Sequence, residues 1–256
     1  MARRRFYAPP GNIAASTVSL SADETHHLIH VLRMTPGDEA FVFDGCGREY
    51  RCNFRSIKDN RAQLEIADAL SDPVESPLHL TLGQALARGE KFDFIVQKAT
   101  ELGVSGIAPL VTRYADVRLD DQQTTKRVER WRRISLEAMK QCGRRKLVEI
   151  TAPRTIREFI VANEPSPDAA SHIQRALLLF SEKGGMPVAA ALADVSRPCP
   201  IVALIGPEGG WSDDEMETLN DCGSTAVTLG PRVLRTETAA IVAIALIQQA
   251  IGDLST

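Results

Sequence analysis

Glycines and a carboxylate follow directly after an apolar run in the last quarter of the sequence. Residues Ile201 to Ile205 have the length and β-branched content of a strand that is buried on both faces. The turn that follows, Gly206-Pro207-Glu208-Gly209-Gly210, has three glycines, which permit positive φ angles and close approach of a ligand to the backbone. Ser212 and Glu215 have the spacing of a capping box, which predicts that a helix begins there.

A second turn of similar composition follows the next predicted strand, Ser224 to Leu229. It reads Gly230-Pro231-Arg232-Val233-Leu234-Arg235-Thr236-Glu237-Thr238 and leads into a helix predicted from about Thr238 to Ile251. Because the carboxyl ends of parallel strands meet at one edge of a sheet, the two turns predict a ligand crevice. Neither turn has the spacing of a P-loop or of a dinucleotide fingerprint, and Glu208 disfavours a polyphosphate. A cationic or neutral ligand is therefore expected; the alternative is that both segments are only tight turns.

The two segments, GPEGGWSDDE and LGPRVLRTETA, together resemble the paired signature of the RsmE family of SPOUT methyltransferases. The resemblance extends to GEKFDFIVQKATELGV and HHLIHVLRMTPGDEAFVFDG, and so covers most of the chain. It implies an α/β fold: a SPOUT-type parallel sheet with a carboxyl-terminal trefoil knot, plus a small amino-terminal PUA-like β-barrel. It also implies methylation of N3 of a uridine in small-subunit (16S) ribosomal RNA, with S-adenosylmethionine as the methyl donor.

Backbone groups at strand ends can read the edge of an adenine, and apolar side chains can enclose its faces. The residues expected to bind S-adenosylmethionine are Leu179, Phe180, Gly206, Pro207, Glu208, Gly209, Gly210, Leu229, Gly230, Leu234, Thr238 and Ala239. For each leucine taken alone, an ordinary core position is the alternative interpretation.

Uridine N3 carries a proton at neutral pH and must lose it before it can attack a methyl group. Each unit of pKa mismatch adds about 1.4 kcal/mol to the barrier, so a nearby cation favours the reaction. Arg235 is the first catalytic candidate, stabilising negative charge on the uracil oxygens. Glu237 is the second, either orienting Arg235 or acting as a base; a structural ion pair at the start of the last helix is the alternative.

No metal site is expected. His26 and His30 lie one helical turn apart, but no nearby Glu or Cys completes a ligand set.

The charge of the 256-residue chain is unevenly distributed. The net charge is only −3, but residues 126 to 157 contain eleven Lys or Arg and three acids. A local basic face can bind phosphates, although a solvated amphipathic helix has the same composition. The residues expected to contact RNA are Arg3, Arg4, Arg5, Arg33, Arg88, Arg144, Arg145 and Arg232.

Two domains are predicted on either side of a linker. Residues 71–77, which contain two prolines and no apolar periodicity, form the linker. Residues 1–70 are expected to form the PUA-like RNA-binding barrel, and residues 78–256 the methyltransferase domain, because strand and helix patterns alternate there. The last helix is apolar nearly all round, which indicates a core or a subunit interface. The apolar last helix predicts a homodimer when it is combined with the resemblance, which implies a dimer.

The composition is that of a soluble globular protein, with 44% apolar and 25% charged residues. No apolar run is long enough to span a bilayer, and no apolar segment follows the basic amino-terminal residues as in a secretory signal. Five cysteines without Cys-x-x-Cys spacing indicate reduced thiols. These features predict a cytoplasmic protein, and the resemblance implies an enzyme that acts on ribosomal RNA within an assembled small ribosomal subunit. The alternatives are methylation of another RNA position, such as a ribose hydroxyl, and a non-catalytic RNA-binding module.

Overall fold

The computed structural model describes residues 3–71, 75–115, 120–162, 175–195 and 199–254. The chain divides into two compact units: Met1–Glu75 with Leu136–Leu147, and Ser76–Ser135 with Val148–Thr256. The division at Glu75 falls within the stretch interpreted as a linker, of which residues 72–74 lie outside the described residues. Residues 136–147, which the sequence analysis places in the second domain, are grouped with the first unit in the structure.

The first unit is built on a five-stranded sheet. Its strands are β1 (Arg5–Tyr7), β2 (Thr17–Ser19), β3 (Glu39–Phe43), β4 (Glu49–Lys58) and β5 (Arg61–Leu70). The strand order is β1-β3-β4-β5-β2; β1 is parallel to β3 and the other pairs are antiparallel. The register of the long β4–β5 ladder shifts between Arg51 and Cys52 and between Phe54 and Ser56, as it does at β-bulges.

One short helix packs on this sheet. Helix α1 (Ala22–His26) begins after Ser21, whose hydroxyl accepts a hydrogen bond from the Glu24 backbone N–H. It continues into a single π-helical turn, His27–Val31. The strands and this turn bury a common apolar core that includes Phe6, Leu28, Val42, Phe54 and Leu64.

The second unit contains an eight-stranded sheet in which every pair is parallel. Its strands are β6 (Leu80–Ala85), β7 (Gly106–Val111), β8 (Glu149–Ile150), β9 (Arg154–Thr155), β10 (Ala176–Phe180), β11 (Met186–Pro187), β12 (Ile201–Ile205) and β13 (Thr225–Thr228). The helices are α2 (Lys91–Glu101), α3 (Asp121–Cys142), α4 (Ile156–Ala162), α5 (Val188–Ala191), α6 (Asp213–Asp221) and α7 (Thr236–Ile251). The last residues of α3, from Leu136, belong to the first unit.

The strand order of this sheet places three loops side by side. The order is β11-β13-β10-β12-β6-β7-β8, with β9 also paired to β7, so β10 lies between β12 and β13. All five residues of β12 are buried, as expected for a strand covered on both faces. Because these strands are parallel, the loops that follow β10, β12 and β13 meet at one edge of the sheet.

The predicted α/β class with a parallel sheet is confirmed, whereas the trefoil knot stays a prediction from the resemblance. None of the helices in the described part of the chain has the length and hydrophobicity needed to cross a bilayer.

Candidate active site

A cavity of about 370 Å³ opens at this edge of the second unit's sheet. It is formed by the loop after β10, the glycine-rich loop after β12 and the loop between β13 and α7. The predicted ligand residues that line it are Phe180, Gly206, Pro207, Glu208, Gly210, Leu229, Gly230, Leu234 and Ala239. The two turns that the sequence singles out are therefore brought together around one cavity.

Three predicted ligand residues do not line the cavity. Leu179 packs in a separate apolar cluster with Leu177 and Leu204, because alternate residues of β10 point to opposite faces of the sheet. Gly209 faces Tyr114, and a Cβ at this glycine would lie 2.9 Å from the Tyr114 Cβ. Thr238 is exposed in the first turn of α7.

Several lining residues were missed by sequence reasoning. Ser181 and Lys183 come from the loop after β10, and the glycine pair that closes this turn was the available signal. Trp211 and Thr236 lie next to predicted residues, but nothing in their sequence context distinguishes them from core positions. Val233, which is 76% exposed, also belongs to the lining.

The glycine-rich loop is fixed at both ends. At its start, a Cβ on Gly206 would lie 2.9 Å from the Trp211 indole nitrogen, so close packing requires glycine there. Gly210 has a φ of 74°, in the left-handed region that favours glycine. At its end, the Ser212 hydroxyl accepts from the Glu215 backbone N–H, and the Glu215 carboxylate accepts from the Ser212 N–H, which completes the predicted capping box.

Cations surround a carboxylate at the mouth of the cavity. Lys91 donates a hydrogen bond to Glu208, and this bond with its charge lowers the pKa of the Glu208 carboxyl below its ordinary value. Arg235 and Arg88 lower the same pKa to a smaller extent. Arg232 and Arg235 are exposed and line the cavity. The mouth therefore combines an ionised carboxylate with guanidinium groups that are accessible to a ligand.

The structure separates the two predicted catalytic residues. Arg235 lines the cavity and precedes the first residue of α7 without capping the helix through its side chain. Glu237 does not line the cavity, and its Oε2 atom is buried without a hydrogen-bond partner. Among the described ion pairs none joins Arg235 to Glu237, so the alternative of a structural pair at the helix start is not found.

Three predicted RNA contacts are buried in the first unit. Arg5, Arg144 and Arg145 are 6%, 6% and 3% exposed. Arg5 and Arg145 donate to opposite oxygens of Glu49, at 2.6 and 2.9 Å, and Arg144 donates to Glu75 at 2.9 Å. Buried charges require such partners, and these guanidinium groups are not accessible to phosphates. The prediction that they bind RNA is corrected for this reason.

The other predicted RNA contacts are exposed. The Arg3 guanidinium lies 4.9 Å from the centre of the Phe41 ring, and Arg4 lies 3.6 Å from an Asp38 oxygen in an exposed pair. Arg33 has a left-handed φ of 51° just after the π-helical turn, and its side chain reaches solvent. Arg88 and Arg232 are exposed in the second unit.

His26 and His30 lie side by side on the surface of the first unit. The rings of His26 and His30 are tilted by 42° to each other with centroids 4.6 Å apart, and both residues are exposed. Within the described ranges, no group of three His, Cys, Asp or Glu side chains is placed to hold a metal ion.

Comparison with known families defines the class of protein. Residues 74–248 match the family model described as an RNA methyltransferase domain, and residues 20–67 match the model described as an RNA methyltransferase PUA domain. Both matches agree with the fold, because the first covers the parallel sheet and the second covers strands β3 and β4 and most of β5 in the first unit. The class is therefore an RNA methyltransferase with an amino-terminal PUA domain.

Individual relatives identify the family more narrowly. Ribosomal RNA small subunit methyltransferase E from Synechocystis is 35% identical, over 95% of this chain and 76% of that protein. The enzyme of the same name from Neisseria gonorrhoeae, solved bound to S-adenosylmethionine, is 34% identical with a TM-score of 0.85, over 98% of this chain and 99% of that one. A Legionella pneumophila protein, solved with the same cofactor, is 34% identical with a TM-score of 0.85, over 99% and 100%. The chain belongs to the ribosomal RNA small subunit methyltransferase E family, which confirms the resemblance seen in its sequence.

Proposed function

We propose that this protein transfers the methyl group of S-adenosylmethionine to N3 of a uridine in small-subunit ribosomal RNA. The observation that carries the proposal is the cavity at the carboxyl edge of the parallel sheet, with its apolar walls, its glycine loops and Arg235 at the mouth. Two related structures of similar fold contain S-adenosylmethionine, which supports the choice of methyl donor.

The residues of the cavity fit this cofactor. Its volume of about 370 Å³ is within the range of about 300–1,000 Å³ usual for small-molecule sites. At Gly210 and Gly230 a Cβ would meet no atom within 4 Å, so both glycines border open space that a side chain would occupy. Leu229 and Leu234 supply apolar surface for an adenine, and the ionised Glu208 suits a cationic sulfonium ligand.

The protein's own residues account for activation of the acceptor. When bound, S-adenosylmethionine supplies an electrophilic methyl group. Arg235, exposed at the mouth, stabilises the negative charge that develops on the uracil oxygens as N3 gives up its proton to solvent water. Glu237 has no part in this proposal, because it does not line the cavity.

RNA is held by exposed arginines in both units. Arg3, Arg4 and Arg33 supply the first unit's contacts, and Arg88 and Arg232 supply those near the cavity. A protein of this net charge can still bind a polyanion through such local clusters. We further propose that the substrate is an assembled small ribosomal subunit and that the enzyme acts in the cytoplasm.

The experiment is a calorimetric titration with S-adenosylmethionine, paired with mass mapping of methylated ribosomal RNA. Ala239→Phe fills the cavity and should abolish cofactor binding, whereas Ala250→Phe, at an exposed position of the same helix, should leave it unchanged. A wild-type protein that binds no cofactor would overturn the proposal. A methyl group found on a ribose hydroxyl would retain the cofactor site but overturn the choice of N3.

We also propose that the exposed side of α7 forms a homodimer interface. Ala243, Ile244 and Ile247 are fully buried in the second unit's core, whereas Leu246 on the other side is 37% exposed. Leu246→Asp should therefore yield folded monomers in sedimentation analysis, whereas Ile244→Asp should unfold the protein, since an unpaired buried charge is strongly unfavourable. An unchanged dimer of the Leu246→Asp variant would contradict this interface.

A further inference from the structure

A chain of two hydrogen bonds connects strand β6 to two of the three loops that form the cavity, the glycine-rich loop and the loop before α7. Gln84 is fully buried near the end of β6, and its Nε2 atom donates to the Thr236 hydroxyl at 3.0 Å. Thr236, which is 6% exposed, in turn donates to the Gly206 carbonyl at 3.0 Å. We propose that Gln84 is a positioning residue that, through Thr236, fixes the Gly206 peptide for cofactor binding. This inference rests on the proposed function of the cavity.

The chemistry of the three groups fixes the direction of the chain. Gln84 Nε2 also donates to the Ala85 carbonyl at 3.0 Å, so the nitrogen of the amide must point this way. An amide nitrogen can only donate, and a hydroxyl has a single proton. The Thr236 hydroxyl therefore accepts a hydrogen bond from Gln84 and donates its own proton to the Gly206 carbonyl. The carbonyl is held in one orientation as a result.

The amide of Gln84 is unfavourable for the core taken alone. Its Oε1 atom is buried without a hydrogen-bond partner in the described structure. An apolar side chain of the same size would avoid this unpaired oxygen. We therefore infer that glutamine is present here because its amide nitrogen donates the hydrogen bond to Thr236.

The carbonyl that receives this chain lies at a sensitive point of the cavity. Gly206 is the first residue after β12 and packs directly against the Trp211 indole, which lines the cavity. Thr236 is the first residue of α7 and follows Arg235. One hydroxyl thus ties the glycine-rich loop to the loop that carries the catalytic candidate, so its loss should loosen both walls.

The test compares two deletions of a buried hydroxyl. Thr236→Val removes the link but keeps the shape of the side chain, and Thr236→Ser restores the hydroxyl. Thr100→Val is the matched control, because the Thr100 hydroxyl is fully buried in the same unit, bonded to Ser135 at 3.0 Å, and does not line the cavity. In calorimetry, Thr236→Val should weaken S-adenosylmethionine binding about tenfold, or about 1.4 kcal/mol. Thr236→Ser should recover most of this loss, and Thr100→Val should lose thermal stability alone.

Gln84→Met tests the first link of the chain. If Gln84 acts through Thr236, this variant should weaken cofactor binding to a similar extent, and the double variant with Thr236→Val should bind no worse than either single one. Such non-additivity is the signature of residues that act as one unit. Additive losses would show that Gln84 and Thr236 act separately, which would overturn the positioning role of Gln84.

A second readout needs no cofactor. The chain has two tryptophans, and Trp131 is buried against Phe92 in the core. In a Trp131→Phe background, the fluorescence of Trp211 reports on the glycine-rich loop. Thr236→Val and Gln84→Met should increase quenching of Trp211 by acrylamide, whereas Thr100→Val should not.

The outcomes separate the two levels of inference. If the wild type binds S-adenosylmethionine and Thr236→Val binds it equally well, the positioning role is overturned and the proposed function stands. If the wild type binds no cofactor, the proposed function is wrong. The acrylamide quenching of Trp211 then decides whether the hydrogen bonds from Gln84 through Thr236 hold the glycine-rich loop in place.

Discussion

Arginines occupy two contrasting environments in this protein. Arg5 and Arg145 in the first unit are at most 6% exposed and share Glu49, which is itself 1% exposed. Arg232 and Arg235 in the second unit are exposed on the lining of the cavity. Burial forces a guanidinium group to find a partner within the protein, whereas exposure leaves it available to a ligand. The residue type is the same, and only its environment separates a structural role from a binding role.

The buried group holds the end of a helix. Besides its bond to Glu49, Arg5 donates to the carbonyls of Met139, Gly143 and Arg144, at and just after the end of α3. These carbonyls lie at the carboxyl end of the helix, where the helix dipole favours a nearby cation. The turn that contains Arg144 and Arg145 therefore does not face RNA. Its bonds to Arg5 and Glu49 hold residues 136–147 in the first unit.

The largest effect that would sharpen this contrast is expected from Glu49→Gln. The substitution keeps the shape but removes the charge that Arg5 and Arg145 share, so it should destabilise the first unit by about 3–5 kcal/mol. Glu65→Gln is the control, since Glu65 pairs with Arg55 at the surface and its loss should change stability by less than about 1 kcal/mol. Denaturant unfolding of both variants provides the measurement. Equal, small changes would show that the buried network is not structural.

A somewhat smaller effect is expected from Arg235→Met. Loss of a group that stabilises developing charge should lower kcat about 100-fold, or about 2.7 kcal/mol, while cofactor affinity and unfolding free energy change little. Arg235→Lys keeps the charge but not the planar donor geometry, and should recover part of the rate. Single-turnover methylation assays measure both. If Arg235→Met methylates RNA at the full rate, exposure of Arg235 at the cavity does not give it a catalytic role.

Arg232→Ala should act on RNA affinity alone. If Arg232 contacts one phosphate, its removal should lower the salt dependence of RNA binding by about 0.7–0.9 in the slope of log K against log salt. Arg130→Ala is a suitable control, because Arg130 already pairs with Asp93 on the surface at 2.7 Å. Binding titrations at several salt concentrations distinguish the two variants. An identical slope for the wild type and Arg232→Ala would exclude a phosphate contact at this position.

The smallest effect concerns Glu208 and Lys91. Because Lys91 is the main cause of the lowered pKa of Glu208, Lys91→Met should raise that pKa towards its ordinary value. A carboxyl whose pKa is lowered by folding contributes stability above its ordinary pKa and loses it as the pH falls through the lowered value. This variant should therefore lose the small contribution of Glu208 at neutral pH. Carboxyl NMR titration measures the pKa of Glu208 in both proteins. An unchanged pKa would show that Lys91 does not interact with Glu208 in solution.

Much of the fold could be predicted from sequence because local signals and tertiary packing agree. Ser212 caps α6 as expected, and the apolar run Ile201–Ile205 is strand β12 with the predicted bounds. The glycine turns after β12 and β13 lie at one cavity because parallel strands end at the same edge of a sheet. Short edge strands such as β8, β9 and β11 carry too few residues for a periodic pattern.

The chain by itself determined the family, the helix and strand pattern and the two loops, because these depend on residue types close together in sequence. Only the tertiary structure decided which charges are buried. Glu49 meets Arg5 and Arg145 across 44 and 96 residues, and Gln84 meets Thr236 across 152. Such partners have no local pattern, since burial is a property of packed elements and not of composition. For that reason the sequence alone could not show that Arg144 and Arg145 are buried, or that Gln84 bonds to a residue of the cavity.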